Sequence, residues 1–413
     1  MKRLYARHRL DIKLRHLAYA ISTMSASGDW QAATDVERLW SAQGAALACY
    51  SVRSGFHLLL SALALPRGSE VLFSAVTHPD MPRLAKHHGL VPVPVDLDPA
   101  TLSPHPELLA RAITEKSRML VVAHLFGGRV DLAPLAEMCR RHRLVLVEDC
   151  AQSFQGPPDT GDPTAQVSMF SFGILKTATA MGGALLTVRD PALLDRMRAV
   201  QRGWPLQTRR AHLRRIVQTA AFVAFTRPLL YTAVARVSRA MGRDFDRFVN
   251  SAAHSFPAGS TEELVGRLEQ RPSAPLLRFL RHRLGTFDHA RLQARSASGK
   301  RLAALLPSGL HVGGFALDHS HWLFPVVIDQ PDGLIDAVRA AGFDAARSAS
   351  SVTAIPAPAS RPDLEPRCAR ELLSRLVFLP AYPELPPGSL DRLSSALEGQ
   401  DAHSLPLLPR SPR

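Results

Sequence analysis

A chain of 413 residues that is 46% hydrophobic and 21% charged carries ample apolar material for a full-sized core, which excludes general disorder. Its 50 Lys+Arg against 36 Asp+Glu give a formal net charge of +14, but the basic residues are spread along the chain without a compact patch or a nucleic-acid-binding motif, so no nucleic-acid partner is expected. Lysine occurs only six times, at Lys2, Lys13, Lys86, Lys116, Lys176 and Lys300, and arginine makes up the rest, so a lysine inside an apolar stretch stands out.

Residues 1–50 read as an N-terminal helical segment. Its opening, MKRLYARHRLDIKLRHLAYAIS, keeps charges among its apolar residues and has no uninterrupted apolar core, which argues against a secretory signal and for a cytoplasmic protein. Cys49, Cys139, Cys150 and Cys368 are scattered and form no CxxC or Cys/His cluster, so neither a disulfide framework nor a metal site is expected.

Residues 51–204 alternate short apolar runs with helical periodicity. Strands are predicted over Glu70–Phe73, Val91–Val95, Met119–Ala123, Leu144–Val147, Val167–Phe170 and Gly183–Val188, with helices such as Ser54–Leu65 and Leu132–His142 between them. This is the pattern of an α/β domain with a mostly parallel sheet, whose ligands bind at the carboxyl ends of the strands.

The rhythm breaks over 205–270. Ile216–Val237 (IVQTAAFVAFTRPLLYTAVARV) approaches the length of a membrane span, but Arg227-Pro228 lies at its centre, where a charge costs about 2.5–3.5 kcal/mol on insertion scales. Two readings remain: a helical insertion packed on the body, or an in-plane amphipathic pair on an anionic membrane surface, flanked by Arg209, Arg210, Arg214 and Arg215 before it and Arg236, Arg239 and Arg243 after it. Residues 271–400 read as a linking helix and a smaller C-terminal α/β domain. Its predicted elements are a helix at Phe287–Leu306, a strand at Trp322–Ile328, helices at Gly333–Ala341 and Glu365–Leu376, a strand at Val377–Leu379, and a last helix, Ser389–Leu397, capped by Ser389. The proline-rich tail, 401–413, is expected to be disordered.

Three clusters carry chemistry. LVLVEDCAQSF (144–154) ends a buried strand in two acids and sets Glu148 or Asp149 at its carboxyl end; a carboxylate there needs a cation, unless it serves only as a helix cap. In VSMFSFGILKTATAMGGALLTV (167–188), Lys176 has no other charge within eight residues, and a desolvated lysine is a free amine that condenses with carbonyls; the bland reading is a lysine that snorkels to solvent. In SVRSGFHLLLSAL, Ser54-Gly55 precede a helix whose amides and dipole suit a phosphate, though many such turns are only caps. Pyridoxal phosphate (PLP) requires all three: a phosphate anchor, a carboxylate for the pyridine nitrogen, and an amine for the carbonyl.

The order of these segments, with GSEVLFSAVTH, VVAHLFGGRVDLAPL and VFLPAYPELPPGSLDRL, resembles the DegT/StrS-type sugar aminotransferases from about Val36 to Gln400, interrupted at about 205–265. The resemblance implies the PLP-dependent transferase fold type I: a large domain with a mixed, mostly parallel sheet and helices on both faces, plus a smaller α/β domain. It implies a homodimer that transfers an amino group from an amino acid, glutamate by resemblance, to a keto sugar on a nucleotide, in amino-sugar, cell-surface polysaccharide or secondary-metabolite biosynthesis. By position, Lys176 resembles the lysine that links covalently to PLP and shuttles protons, and Asp149 the partner of the pyridine nitrogen. Gln152 matches a residue at the ring face, His78 the ring-stacking position, and Ser171, Ser54, Gly55 and Phe56 the phosphate site. Retention of Lys176 argues for transamination over the dehydration catalysed by members that carry His there.

Departures from the pattern are Phe56 where Thr is usual and Tyr382 where His is common. EQRPSAPLLRFL (269–280) lacks the Asn that reaches the neighbouring subunit's phosphate, for which Gln270 or Arg271 could substitute. They motivate an alternative, a regulatory PLP-binding homologue without turnover. The insertion motivates another, peripheral contact through 216–237 at the inner face of the membrane, serving a lipid-linked acceptor. Arg202, Arg271 and Arg347 are the candidates for holding an acceptor diphosphate.

Overall fold

The computed structural model describes residues 3–242, 245, 246, 249, 259–347 and 351–398. A seven-stranded sheet runs in the order β1-β8-β7-β6-β5-β2-β4. Its strands are β1 (Ala46–Cys49), β2 (Glu70–Ser74), β4 (Val91–Val95), β5 (Ser117–Ala123), β6 (Val145–Asp149), β7 (Val167–Ser171) and β8 (Ala184–Val188), while β3 (Val76–Thr77) lies outside it. β4, β2, β5, β6 and β7 are mutually parallel, and β8 is antiparallel to both of its neighbours. Runs such as MLVVA and ALLTV suit strands covered on both faces. One face is covered by α3 (Val52–Leu63), α4 (Asp80–His87) and α7 (Pro191–Arg202), packing Leu58, Leu59, Leu84 and Met197. The other face is covered by α5 (Pro106–Ala112) and α6 (Ala133–His142), packing Leu109 and Leu135.

Strand β1 extends the sheet ahead of residue 51, because the alternating Ala-Leu-Ala-Cys run is buried against β8. Preceding it, α1 (Leu14–Ser22) and α2 (Asp29–Trp40) form the helical N-terminal segment, and Trp40 donates to Thr187 Oγ1 on β8 at 3.0 Å. The insertion folds as α8 (Arg209–Phe225), α9 (Pro228–Ala240) and α10 (Thr261–Leu268). Pro228 opens α9, where its missing N–H is harmless, so the apolar segment is a helix pair. Ile216, Phe222 and Tyr231 are buried, while Leu213, Val217, Leu229, Leu230, Val237 and Met241 are exposed. No helix among the described residues is long and apolar enough to cross a membrane.

α11 (Ala274–Gly285) packs on α2, so the chain from 271 first completes the large domain. The smaller unit contains α12 (His289–Leu305), β9 (Phe324–Val327), α13 (Pro331–Ala340), β10 (Thr353–Ala354), α14 (Arg367–Arg375), β11 (Leu376–Leu379) and α15 (Ser389–Ser395), with β9 antiparallel to β11. The cap of α15 is Gly388, held at φ 71°, and Ser389 is the first helical residue rather than the cap expected from its hydroxyl. Between the two units, β10 pairs with β3. The tail 401–413 lies outside the described residues.

Candidate active site

The carboxyl ends of β2, β5, β6 and β7 and the start of α3 converge on a cavity of about 620 Å³, closed from the small unit by Trp322 and Val352. Lys176, Asp149, Gln152, Ser171 and His78, which are far apart in sequence, all line it.

Lys176 follows β7 on a tight loop, its amide donating to the Gly173 carbonyl at 2.9 Å. Its Nζ sits 4.2 Å from the ring centroid of Trp322, whose indole N–H donates to the Leu175 carbonyl at 2.8 Å. Burial pulls the ammonium down to about 8, against the attraction of Asp149, so the amine gives up its proton far more readily than an exposed lysine does. Asp149 ends β6 and accepts one hydrogen bond, from the Ala151 amide at 3.0 Å, with no arginine, lysine or histidine within ion-pair distance among the described residues. Burial raises its pKa, with the Ala151 amide and Lys176 opposing.

Glu148 faces the other side of the strand and is wholly buried. It accepts from His124 Nε2 at 2.9 Å and from the Asp162 amide at 2.6 Å, and Arg129 lies 3.9 Å away. Burial alone would raise its carboxyl, but the His124 and Ser168 hydrogen bonds and the Arg129 charge outweigh this and hold it near 2. Of the two acids the sequence left open, Asp149 therefore faces the cavity and Glu148 the framework. His124, Glu148 and Cys150 stand close enough to bind a metal, but hydrogen bonds among them already satisfy the donors and acceptors.

His78 Nδ1 accepts from the Asp80 amide at 3.2 Å and lies 3.6 Å from the Asp80 carboxylate, which holds the ring at the cavity wall. Asp80 is fixed by Arg53 at 2.7 Å and Arg83 at 3.1 Å. Gln152 is anchored where its Oε1 accepts from the Phe126 amide at 2.9 Å.

The turn that opens α3 lies three residues earlier than the sequence suggests. Ser51 is the N-cap of α3; its Oγ accepts from the Ser54 amide at 3.1 Å and its carbonyl from the Gly55 amide at 2.9 Å. The amides ahead of the first intrahelical bond are therefore those of Val52 and Arg53, which line the cavity. Ser54, Gly55 and Phe56 do not line it: Ser54 Oγ donates to the Leu268 carbonyl, a Cβ on Gly55 would come within 2.7 Å of Leu186, and Phe56 packs edge-on against Phe73. Phe56 thus removes no hydroxyl from the site.

Of the other expected cations, none reaches the cavity. Arg202 is exposed at the end of α7, Arg271 donates to the Trp204 carbonyl and lies over Trp30, and Arg347 pairs with Asp332 at 3.2 Å. Gln270 caps the Arg267 carbonyl. The cavity is instead lined by Arg53, Arg83, Arg215 and Arg267. Arg215 comes from α8, donates to Tyr50 Oη at 2.7 Å and the Met181 carbonyl at 3.1 Å, and stacks over the Tyr50 ring. The only sequence signal for Arg215 was its place beside the apolar segment.

The residues fit PLP. The helix start, the Ser51 and Ser171 hydroxyls and the Thr77 Oγ1, a buried hydroxyl on the cavity wall with no partner among the described residues, suit a phosphate; Asp149 has no cation within ion-pair distance among the same residues; and Lys176 offers the amine.

Residues 37–212 match the DegT/DnrJ/EryC1/StrS aminotransferase family. Among curated proteins, the chain is 30% identical to GDP-perosamine synthase of Caulobacter vibrioides over 38% of its own length and 43% of that protein. It is 35% identical to L-glutamine:2-deoxy-scyllo-inosose aminotransferase of Streptomyces kanamyceticus over 34% of its length and 33% of that protein. The chain thus spans less than half the length of these relatives. The crystal structure of the aminotransferase TlmJ from Streptoalloteichus hindustanus superposes with a TM-score of 0.66 at 16% identity, covering 96% of this chain and 99% of that one, which shows a shared fold.

Proposed function

The chain carries a DegT/DnrJ/EryC1/StrS aminotransferase family domain, and from that premise we propose that it is a PLP-dependent aminotransferase that moves an amino group from an amino acid to a keto sugar, nucleotide-linked by family resemblance. The observation that carries this reading is a half-buried lysine with a depressed pKa beside a buried carboxylate that has no cation in ion-pair contact among the described residues, at the carboxyl end of a parallel sheet. One curated relative is named as a synthase of GDP-perosamine and the other for L-glutamine and 2-deoxy-scyllo-inosose, so the donor is proposed only as glutamate or its amide.

PLP, when bound, supplies an electron sink for the carbon that bears the transferred nitrogen. Val52 and Arg53 amides with Ser51, Ser171 and Thr77 would hold its phosphate, and His78 would face its ring. Asp149 is ionised once a cation faces it, and so keeps a proton on the pyridine nitrogen. Lys176 Nζ accepts the proton from the donor α-carbon as a general base and returns a proton on the acceptor side. Trp322 excludes water from Nζ on the side of the small unit. Incubating wild type and Lys176→Ala with PLP, glutamate or glutamine and a panel of keto-sugar nucleotides tests the reading. Turnover on one acceptor, absent in the variant, is the expected result; PLP binding by wild type without turnover on any donor would leave a regulatory homologue instead.

Two assembly features belong to the same proposal. Leu14, Ile21, Trp30 and Leu39 on α1 and α2 are exposed among both acids and bases, a surface suited to a second copy of the chain. The outward face of α8 and α9 is different: exposed Leu213, Val217, Leu229, Leu230 and Val237 stand among arginines, and the sequence has no acid between Asp195 and Asp244. A twofold contact there would oppose arginines with arginines, so the reading is docking on an anionic bilayer. Sedimentation with phosphatidylglycerol-containing vesicles, lost in Leu229→Asp/Leu230→Asp and absent with phosphatidylcholine alone, is the expected result; equal recovery with both lipids would overturn it.

A further inference from the structure

The insertion turns two faces to two different surroundings. Outward, Leu213, Val217, Leu229 and Leu230 stand exposed among arginines. Inward, Arg215, Val249, Ser260, Leu264 and Arg267 line the cavity that holds Lys176. On α8 the two faces are one residue apart: Arg214 is exposed and Arg215 is half-buried at the cavity wall, a step of about 100° around a helix about 10–12 Å across. Arg215 is built into that wall. It donates to Tyr50 Oη at 2.7 Å and to the Met181 carbonyl at 3.1 Å, and Gly182 leaves room for it, since a Cβ there would collide with its Nη1. Arg83, tied to the insertion where it donates to the Gly259 carbonyl at 2.8 Å, and Arg267 add two more cations.

Among these cations the insertion sets apolar side chains. Val249 and Leu264 are buried, and both line the cavity. Val249 also belongs to the cluster of Ala6, Phe225, Tyr231 and Phe245 at the α8–α9 turn, where Leu229 and Leu230 are exposed. A wall that is both cationic and apolar, one helix away from a bilayer-docking face, suits a diphosphate with a hydrocarbon on its far side. Nucleotide-linked and lipid-linked sugars share the diphosphate. A nucleoside, however, presents a base and a ribose that need hydrogen-bond partners, and the side chains of Val249 and Leu264 offer none.

We propose that the acceptor is a keto sugar carried on a polyprenyl diphosphate, with Arg215 as the ligand of the diphosphate and Val249 and Leu264 as the contacts of the first isoprene unit. The inference rests on the aminotransferase and membrane-docking readings, and it departs from the nucleotide linkage that resemblance implies.

The test uses the PLP-loaded full chain and four soluble probes: inorganic pyrophosphate, UDP, GDP and geranyl diphosphate. Calorimetric titration gives geranyl diphosphate a Kd about 10-fold or more below those of the other three, the scale for burying a few methylene groups. Arg215→Gln weakens pyrophosphate and geranyl diphosphate alike by about 10–100-fold, the scale of one charged hydrogen bond. Leu264→Ser removes most of the geranyl advantage and leaves pyrophosphate within about twofold. Should the variants not fold, the ranking of the probes on wild type decides. A second readout is turnover: one panel of keto sugars is offered on undecaprenyl diphosphate in phosphatidylglycerol-containing vesicles and on UDP or GDP in solution, and the lipid-linked form is the better acceptor. A nucleotide bound as tightly as geranyl diphosphate, no advantage of geranyl diphosphate over pyrophosphate, or an unchanged Kd in Arg215→Gln overturns the proposal. If geranyl diphosphate is preferred through Arg215 but no sugar on either carrier is aminated, the aminotransferase reading fails and the subsite stands. If it is preferred and the protein does not sediment with the vesicles, the docking reading fails and the subsite stands; if nucleotide-linked sugars are aminated and geranyl diphosphate is not preferred, the lipid carrier falls and the aminotransferase reading stands.

Discussion

Glu148 and Asp149 are neighbours on one strand, yet the regions they face differ in kind. The framework side surrounds Glu148 with His124, Arg129, Ser168 and the Asp162 amide, and holds its charge firmly. The cavity side gives Asp149 a single amide and a lysine whose hold on its own proton is weakened by burial. A completed set of partners marks architecture; an incomplete one marks the place where a ligand completes it.

The difference can be broken from either side. Lys176→Ala has the largest expected effect: borohydride treatment with PLP no longer adds the cofactor's mass at position 176, and turnover falls by at least ~10²–10⁴-fold, the weight of proton transfer alone. Asp149→Asn comes next, lowering turnover by about 10–100-fold through the lost charged contact while PLP still binds. Because burial raises the Asp149 pKa, its ionised form disfavours folding, and this contribution grows as pH rises through the folded value. The cofactor-free Asp149→Asn protein is therefore at least as resistant to urea at neutral pH as wild type, and a lower midpoint would sink this account.

Glu148→Gln reverses the pattern. It leaves PLP attachment in place but destabilises by about 3–5 kcal/mol, the scale for breaking a buried pair, measurable as a lower urea midpoint. Wild type also loses stability as pH falls from the ordinary carboxylate value of 4.5 toward 2, the window set by the depressed Glu148 pKa, and the variant shows a shallower acid slope. The smallest expected effect is kinetic. The rate of PLP attachment to Lys176 rises with pH about a midpoint near 8, and Trp322→Leu, which admits water, moves that midpoint up toward the ordinary lysine value.

Much of this was legible in the residues. The parallel strands were readable because Val- and Leu-rich runs bounded by helical periodicity leave few alternatives, and Lys176 because it is one of six lysines in an arginine-rich chain. The start of α3 was not, since Ser51 and Ser54 can both cap a helix and only the backbone tells which does. Strand β1 was hidden by its four-residue length. Arg215 was invisible for the opposite reason: arginine is so common here that composition cannot say which ones turn into the cavity.

The two-residue ladder between β10 and β3 joins Thr353–Ala354 of the small unit to Val76–Thr77, one residue before His78. Through it the roof and the ring-facing wall form a single mechanical piece. A displacement of the small unit would therefore be felt directly at the His78 imidazole, so that this seam couples the position of the small unit to the wall of the cavity.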